Sequence, residues 1–100
     1  MGSPTNFREF WPFYLSQHSR PATRFFHFVG TTFGLLCLGM ALSTRDALWL
    51  PVGLVGSYGL AWFSHFFIEK NRPATFTYPV WSFIGDFKMY GLMWCGKLWR

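Results

Sequence analysis

The stretch ALWLPVGLVGSYGLAWFSHFFI, residues 47–68, decides how this chain is interpreted, because none of its residues carries a formal charge. At 1.5 Å per residue, a helix of this length extends about 33 Å, which is enough to cross the hydrocarbon layer of a bilayer. Pro51 falls near the first turn, where a missing backbone N–H costs little. The stretch therefore predicts a membrane-spanning helix.

A second uncharged stretch, residues 25–42, precedes the first and is separated from it only by the polar residues 43–46. Two apolar helices joined by so short a break predict a transmembrane hairpin. A weak signal-peptide cleavage pattern lies at residues 41–43, but the sequence before the apolar run is polar and rich in aromatics. We therefore expect this segment to be retained.

The composition excludes several classes of protein. The chain is 51% hydrophobic, 23% aromatic and only 13% charged, whereas a soluble domain carries about 25% charged residues. The net charge of +5 includes no dense Lys/Arg cluster, so we expect no nucleic-acid partner. Cys37 and Cys95 are too few and too far apart for a metal knuckle or a redox pair, and we expect both to be structural. The bilayer is the expected partner.

The segments on either side of the hairpin differ from it. Residues 7–19 place aromatic side chains at helical spacing, which predicts an amphipathic helix in the membrane interface that ends before Pro21. Residues 76–99 are aromatic but contain Asp86 and Lys88, and a charge at mid-bilayer costs at least a few kcal/mol. We expect an interfacial or half-inserted helix there, with Trp81, Phe87 and Trp94 facing inward.

The predicted fold class is thus an all-α membrane protein, a two-span transmembrane helical hairpin flanked by an N-terminal amphipathic helix and a C-terminal interfacial helix, in one domain over residues 1–100. Eight of the nine basic residues flank one side of the hairpin. The positive-inside rule predicts a multi-pass protein with both termini cytoplasmic, in the inner membrane if the source is bacterial.

Small residues recur on both spans at spacings that let helix backbones approach closely. They are Gly30, Gly34 and Gly39 on the first span and Gly53, Gly56 and Gly59 on the second.

The hairpin brings all three histidines to one depth. His27 begins the first span and His65 ends the second, so antiparallel packing places both at the cytoplasmic boundary. His18 lies just outside, and the break at Pro21 lets it fold back toward them. Glu69 follows His65 by four residues, which on an α-helix is the same face. Asp86 is a second carboxylate on this side of the membrane.

Imidazoles and a carboxylate at one boundary suggest a metal site formed by His18, His27, His65 and Glu69. This donor set suits non-haem Fe(II), with Zn as the rival metal because it takes the same ligands. The alternative is that the histidines are interface polar groups and that Glu69 only pairs with Lys70 or Arg72.

Two ordered motifs carry a resemblance to a known family. The first reads YLSQH at residues 14–18 followed by HFVG at residues 27–30, and the second reads HFFIEKNRPA at residues 65–74. Together they resemble the small membrane-protein family typified by the fungal 2-hydroxy fatty acid dioxygenase of α-oxidation. The tail YPVWSFIGDF at residues 78–87 is similar to the short bacterial branch of that family.

The resemblance implies an Fe(II)-dependent enzyme that uses O₂ to shorten a 2-hydroxy fatty acid by one carbon. The family's histidine positions correspond to His18, His27 and His65, and its acidic position to Glu69. We expect the acyl tail to lie beside the two spans and Arg24 or Arg72 to hold the substrate carboxylate through paired hydrogen bonds. Asp86 is expected to orient a histidine N–H from outside the ligand set.

Two other classes of function stay open at this point. A membrane scaffold would use its glycine faces for helix pairing, and a small transporter would need polar residues within a span, for which Ser57 and Tyr58 are the candidates. Two helices cannot enclose a dry site, so we expect either packing by the terminal helices or a homo-oligomer.

Overall fold

The computed structural model describes residues 3–99, which contain four α-helices and no strand. The helices are α1 (Phe7–Ser16), α2 (Pro21–Thr44), α3 (Trp49–Phe63) and α4 (Pro79–Trp94). A π-helical segment, Ser64–Glu69, continues α3 directly, and a short 3₁₀ turn, Ala74–Phe76, precedes α4. The all-α prediction is confirmed over the described residues.

Local sequence explains where the first two helices begin. The side chain of Asn6 accepts a hydrogen bond from the backbone N–H of Glu9 at 2.8 Å, which caps α1. The helix ends at Ser16, three residues before the predicted end of 19. Pro21 then occupies the first turn of α2, where its fixed φ favours helix and its missing N–H would be unpaired in any case.

The glycines bring α2 and α3 into close backbone contact at three positions. A Cβ on Gly30 would lie 2.9 Å from the carbonyl oxygen of Ser57, and a Cβ on Gly53 would lie 2.7 Å from the Cβ of Cys37. Gly34 also faces Ser57. The small-residue prediction is confirmed there, and Cys37 is a buried packing residue.

The same prediction is wrong for the other three glycines. Gly39 and Gly59 have nothing within 4 Å of where a Cβ would stand. Gly56 is covered by the ring of Phe33, which is a side chain of α2 rather than its backbone. Spacing alone predicted these positions, but only the residues on the facing side of each helix meet the partner backbone.

Of the described helices, α2 is the one long and apolar enough to cross a membrane. Its 24 residues include the predicted span 25–42 and extend it at both ends. The predicted span 47–68 is divided between α3, with 15 residues, and the π-helical segment. The second crossing of the hairpin therefore stays a prediction.

The terminal helices pack against each other, and α4 also packs against α2. Phe10 and Tyr14 of α1 are buried with Met89 and Met93 of α4, so at these two positions α1 faces protein rather than lipid. The inward face of α4 also differs from the predicted one. Trp81 packs against the buried cluster as predicted, but Phe87 and Trp94 are 42% and 66% exposed. The small residues Ser82 and Gly85 are buried on the inward face instead.

Candidate metal centre

Three chain segments bring the histidines together. His18 follows α1, His27 lies in the second turn of α2, and His65 lies in the π-helical segment. All three are buried, and one ring nitrogen of each lies within 4.8 Å of a ring nitrogen of both others. This three-histidine cluster confirms that His18 folds back to the level of His27 and His65.

The protonation pattern of His18 follows from its hydrogen bond. Its Nδ1 lies 2.8 Å from the carbonyl oxygen of Tyr14, which can only accept, so Nδ1 carries the proton. Burial, together with the smaller effect of the neighbouring His65, lowers the pKa of His18 to about 3. The ring is therefore neutral at physiological pH, and its Nε2 presents a lone pair.

Asn71 sets the protonation pattern of His65 by the same logic. The Nδ2 of Asn71 donates to the carbonyl oxygen of Gln17 at 3.1 Å, so its Oδ1 is the atom 2.7 Å from His65 Nδ1. An amide oxygen accepts, which places the proton of His65 on Nδ1. In the neutral ring, Nε2 of His65 also presents a lone pair.

The two Nε2 atoms lie 3.0 Å apart. Two lone pairs at this separation do not form a hydrogen bond, because neither nitrogen has a proton to donate. Metal-bound histidines commonly donate their other N–H to a carbonyl or carboxylate, which fixes the ring and turns the second nitrogen toward the ion. The arrangement of His18 and His65 is that of metal ligands.

His27 completes the group from the opposite side. Its Nε2 is buried and has no hydrogen-bond partner among the described residues. Its Nδ1 lies 3.8 Å from Oδ1 of Asp86, which is too long for a hydrogen bond. Asp86 was predicted to orient a histidine N–H, and it lies next to this nitrogen. A cation held by the three rings would satisfy the unpartnered nitrogen of His27, so the residues present fit a metal ion.

Asp86 is held in place by Tyr14. The Tyr14 hydroxyl donates to Oδ1 of Asp86 at 2.5 Å, and its ring stacks on His18 with centroids 4.1 Å apart. Burial raises the pKa of Asp86 to about 7, although the hydrogen bond from Tyr14 acts in the opposite direction. Tyr14 thus connects the carboxylate behind His27 to the ring of His18.

Glu69 lies outside the three-histidine cluster. Its carboxylate accepts hydrogen bonds at the start of α2 from the hydroxyls of Ser19 and Thr23 and from the backbone N–H of Arg20, at 2.6–2.8 Å. Burial alone would raise the pKa of Glu69, but these hydrogen bonds lower it below the ordinary value. Its predicted role as a metal ligand stays untested, and its observed hydrogen-bond partners are these three residues rather than a histidine.

The two arginines predicted to bind a carboxylate occupy different surroundings. Nε of Arg24 donates to the carbonyl oxygen of His18 at 2.6 Å, which anchors its guanidinium next to the cluster. Arg72 is exposed and lies over the ring of Phe76, 5.6 Å from the centroid. Neither side chain lines the cavity beside the histidines.

A small cavity of about 10 Å³ adjoins the three-histidine cluster, roughly the room that one small bound species needs. Besides His27, two of its lining residues bear buried polar atoms without a partner within the described chain, Trp62 at Nε1 and Ser82 at Oγ. No sequence pattern predicted these two residues or Asn71, since each acquires its role only through chain folding.

These features define a helical protein with a buried three-histidine candidate metal centre and an apolar helix suited to a membrane. The model of the Mpo1-like family, described as 2-hydroxy-palmitic acid dioxygenase Mpo1-like, matches residues 4–98. The chain belongs to this family, as its motifs predicted. Comparison with curated proteins and with solved structures found no match.

Proposed function

We propose that this protein is a non-haem Fe(II)-dependent dioxygenase that shortens 2-hydroxy fatty acids by one carbon at the cytoplasmic membrane face. The observation that carries the proposal is the 3.0 Å separation of the Nε2 atoms of His18 and His65, each ring having its Nδ1 against an acceptor oxygen, with the unpartnered Nε2 of His27 beside them. The family description supports the substrate and the reaction class.

The three histidines would hold the iron, and the bound Fe(II) would supply the reaction with O₂. Tyr14 and Asn71 keep His18 and His65 in the tautomers that a metal requires. Asp86 faces the Nδ1 side of His27. Glu69 ties the end of the π-helical segment to the start of α2, which holds His65 and His27 at a fixed separation.

Substrate binding is assigned to groups near the cluster. Arg24, anchored on the His18 carbonyl, is our first candidate for the substrate carboxylate, and Arg72 is the second. The N–H of Trp62 and the hydroxyl of Ser82 are buried hydrogen-bonding groups beside the histidines, and a polar head group would satisfy them.

The test is metal analysis of the chain purified anaerobically in detergent, for wild type, His65→Ala and Phe67→Ala. Phe67 is two residues from His65 and 67% exposed, so its substitution controls for changes in the π-helical segment. We expect about one iron per chain in wild type and Phe67→Ala and its loss in His65→Ala. The iron-loaded protein should then consume O₂ with 2-hydroxy fatty acids but not with the unsubstituted acids.

Zinc at full occupancy with no turnover after exchange to Fe(II) would contradict the dioxygenase and favour hydrolytic chemistry. No metal in any sample, even after anaerobic reconstitution with Fe(II), would favour the scaffold, in which the histidines are polar packing groups.

A further inference from the structure

A second, larger cavity lies beside the one at the histidines. It is a groove of about 330 Å³ bounded by α2, α3 and the first half of α4, within the range of pockets that hold small ligands. Its walls are largely apolar and include the side chains of Leu35, Leu38, Leu50, Leu54, Phe83 and Phe87. We call it the apolar groove.

The apolar groove adjoins the candidate metal centre at one end. Tyr58 and Asp86 line both the groove and the small cavity at the histidines. From Tyr58 the groove follows α3 away from the cluster to Leu50 and Trp49, and on α2 it ends at Leu38. It therefore has a polar end at the metal centre and an apolar end away from it.

We infer that the apolar groove binds the acyl tail of the substrate and limits its length. The inference rests on the proposed function for the position of the head group. The occupant follows from the polarity of the groove, because a ligand with its reactive carbon at the histidines must place an unbranched apolar portion along α3.

The geometry gives the length that fits. The eight residues from Tyr58 back to Leu50 correspond to about 12 Å along the helix axis. A fully extended chain advances about 1.2 Å per bond, judged from the roughly 3.5 Å that three backbone bonds cover. The groove therefore accepts about ten carbons beyond Tyr58. The part of the groove between Tyr58 and Leu54, four residues along α3, accepts about five of these carbons.

The substitution that follows is Leu54→Trp, which narrows the groove at its midpoint. Leu54 is 58% exposed, so a larger side chain does not displace the helix core. Val55→Trp is the matched control, since Val55 is the next residue of α3, is 74% exposed and does not line the groove.

The experiment measures affinities for a homologous series of 2-hydroxy fatty acids, by displacement of a fluorescent fatty acid from the purified chain in detergent. Each affinity is referred to the free acid in water by correcting for partition into protein-free micelles. Affinity should rise by up to about fourfold per added carbon while carbons enter the groove, and then stop rising. In Leu54→Trp the rise should stop about five carbons earlier, and in Val55→Trp at the wild-type length.

An unchanged stopping point in Leu54→Trp, or an equal change in Val55→Trp, overturns the inference. The inference is also overturned if the purified chain retains a phospholipid or forms a dimer, and Leu54→Trp abolishes this but Val55→Trp does not. The phospholipid or the second chain would then be the occupant of the groove. The measurement is made both with and without Fe(II). If Leu54→Trp shortens the chain length at which affinity stops rising but no turnover is seen with Fe(II), the groove binds the tail and the proposed dioxygenase activity is rejected. If turnover is seen but that chain length is unchanged, only the role of the groove is rejected.

Discussion

At the scale of single residues, the candidate site depends on side chains that bind no ligand themselves. His18 and His65 are useful to a metal only in one tautomer, and that tautomer is set by the Tyr14 carbonyl and by Asn71. The histidines could be predicted from their shared depth and from the family motifs. Asn71 could not, because its two partners, His65 and Gln17, come together only when the chain folds.

This role of Asn71 predicts a specific loss of metal affinity. Asn71→Leu removes the acceptor for the Nδ1–H of His65, and loss of such an outer hydrogen bond typically weakens metal binding by about 10- to 100-fold. Asn71→Asp keeps an acceptor oxygen and should retain most of the affinity. The measurement is competition for Fe(II) or Zn(II) against a chelator of known affinity, with helicity checked by circular dichroism. If both variants lose affinity equally, Asn71 has a purely structural role.

At the scale of helical elements, the π-helical segment carries two predicted ligands, but of these only His65 belongs to the three-histidine cluster. Residues four apart share a face of an α-helix, which is why Glu69 was expected beside His65. His65 points into the cluster, and Glu69 instead meets the first turn of α2.

The contact between α2 and α3 gives a prediction at the same scale. Gly53→Ala would place a Cβ 2.7 Å from that of Cys37, so the two helices must separate, and overpacking of this kind costs about 1–3 kcal/mol. Gly59→Ala meets nothing within 4 Å and should stabilise α3 by about 0.5–1 kcal/mol, because alanine has the higher helix propensity. Unfolding titrations in mixed micelles would measure both changes. Equal stability of the two variants would mean that α2 and α3 are further apart than described.

At the scale of the whole molecule, α1 and α4 enclose the end of the helix pair that carries the histidines, and the outer faces of α2 and α3 expose many apolar side chains. Large hydrophobic side chains such as Leu36, Leu42 and Val55 are 65–74% exposed on the outer faces of α2 and α3. Surfaces of this kind mark contact with a membrane or a partner. The packing of α1 against α4 also supplies the enclosure that two helices alone could not.

The predicted topology can be tested on this surface. In a Cys37→Ala background, the exposed Cys95 reports the C-terminal side and Ser43→Cys reports the connection between α2 and α3. With both ends cytoplasmic, a membrane-impermeant maleimide should label residue 43 in intact cells and residue 95 only after permeabilisation. Labelling of both residues in intact cells would reject a membrane-crossing hairpin.

The sequence by itself determined the helical class, the apolar helix, the family and the three histidines, because each depends on composition, on periodicity or on motif residues read in order. Only the tertiary structure decided which glycines meet the facing helix and that Glu69 accepts hydrogen bonds at the start of α2. It also decided that Asn71, Trp62 and Ser82 lie around the three-histidine cluster. The physical reason is that hydrophobic patterning specifies which segments form helices and which face is apolar. The rotation of one helix against another, and the change of winding at Ser64, arise from packing between residues that are distant in the chain.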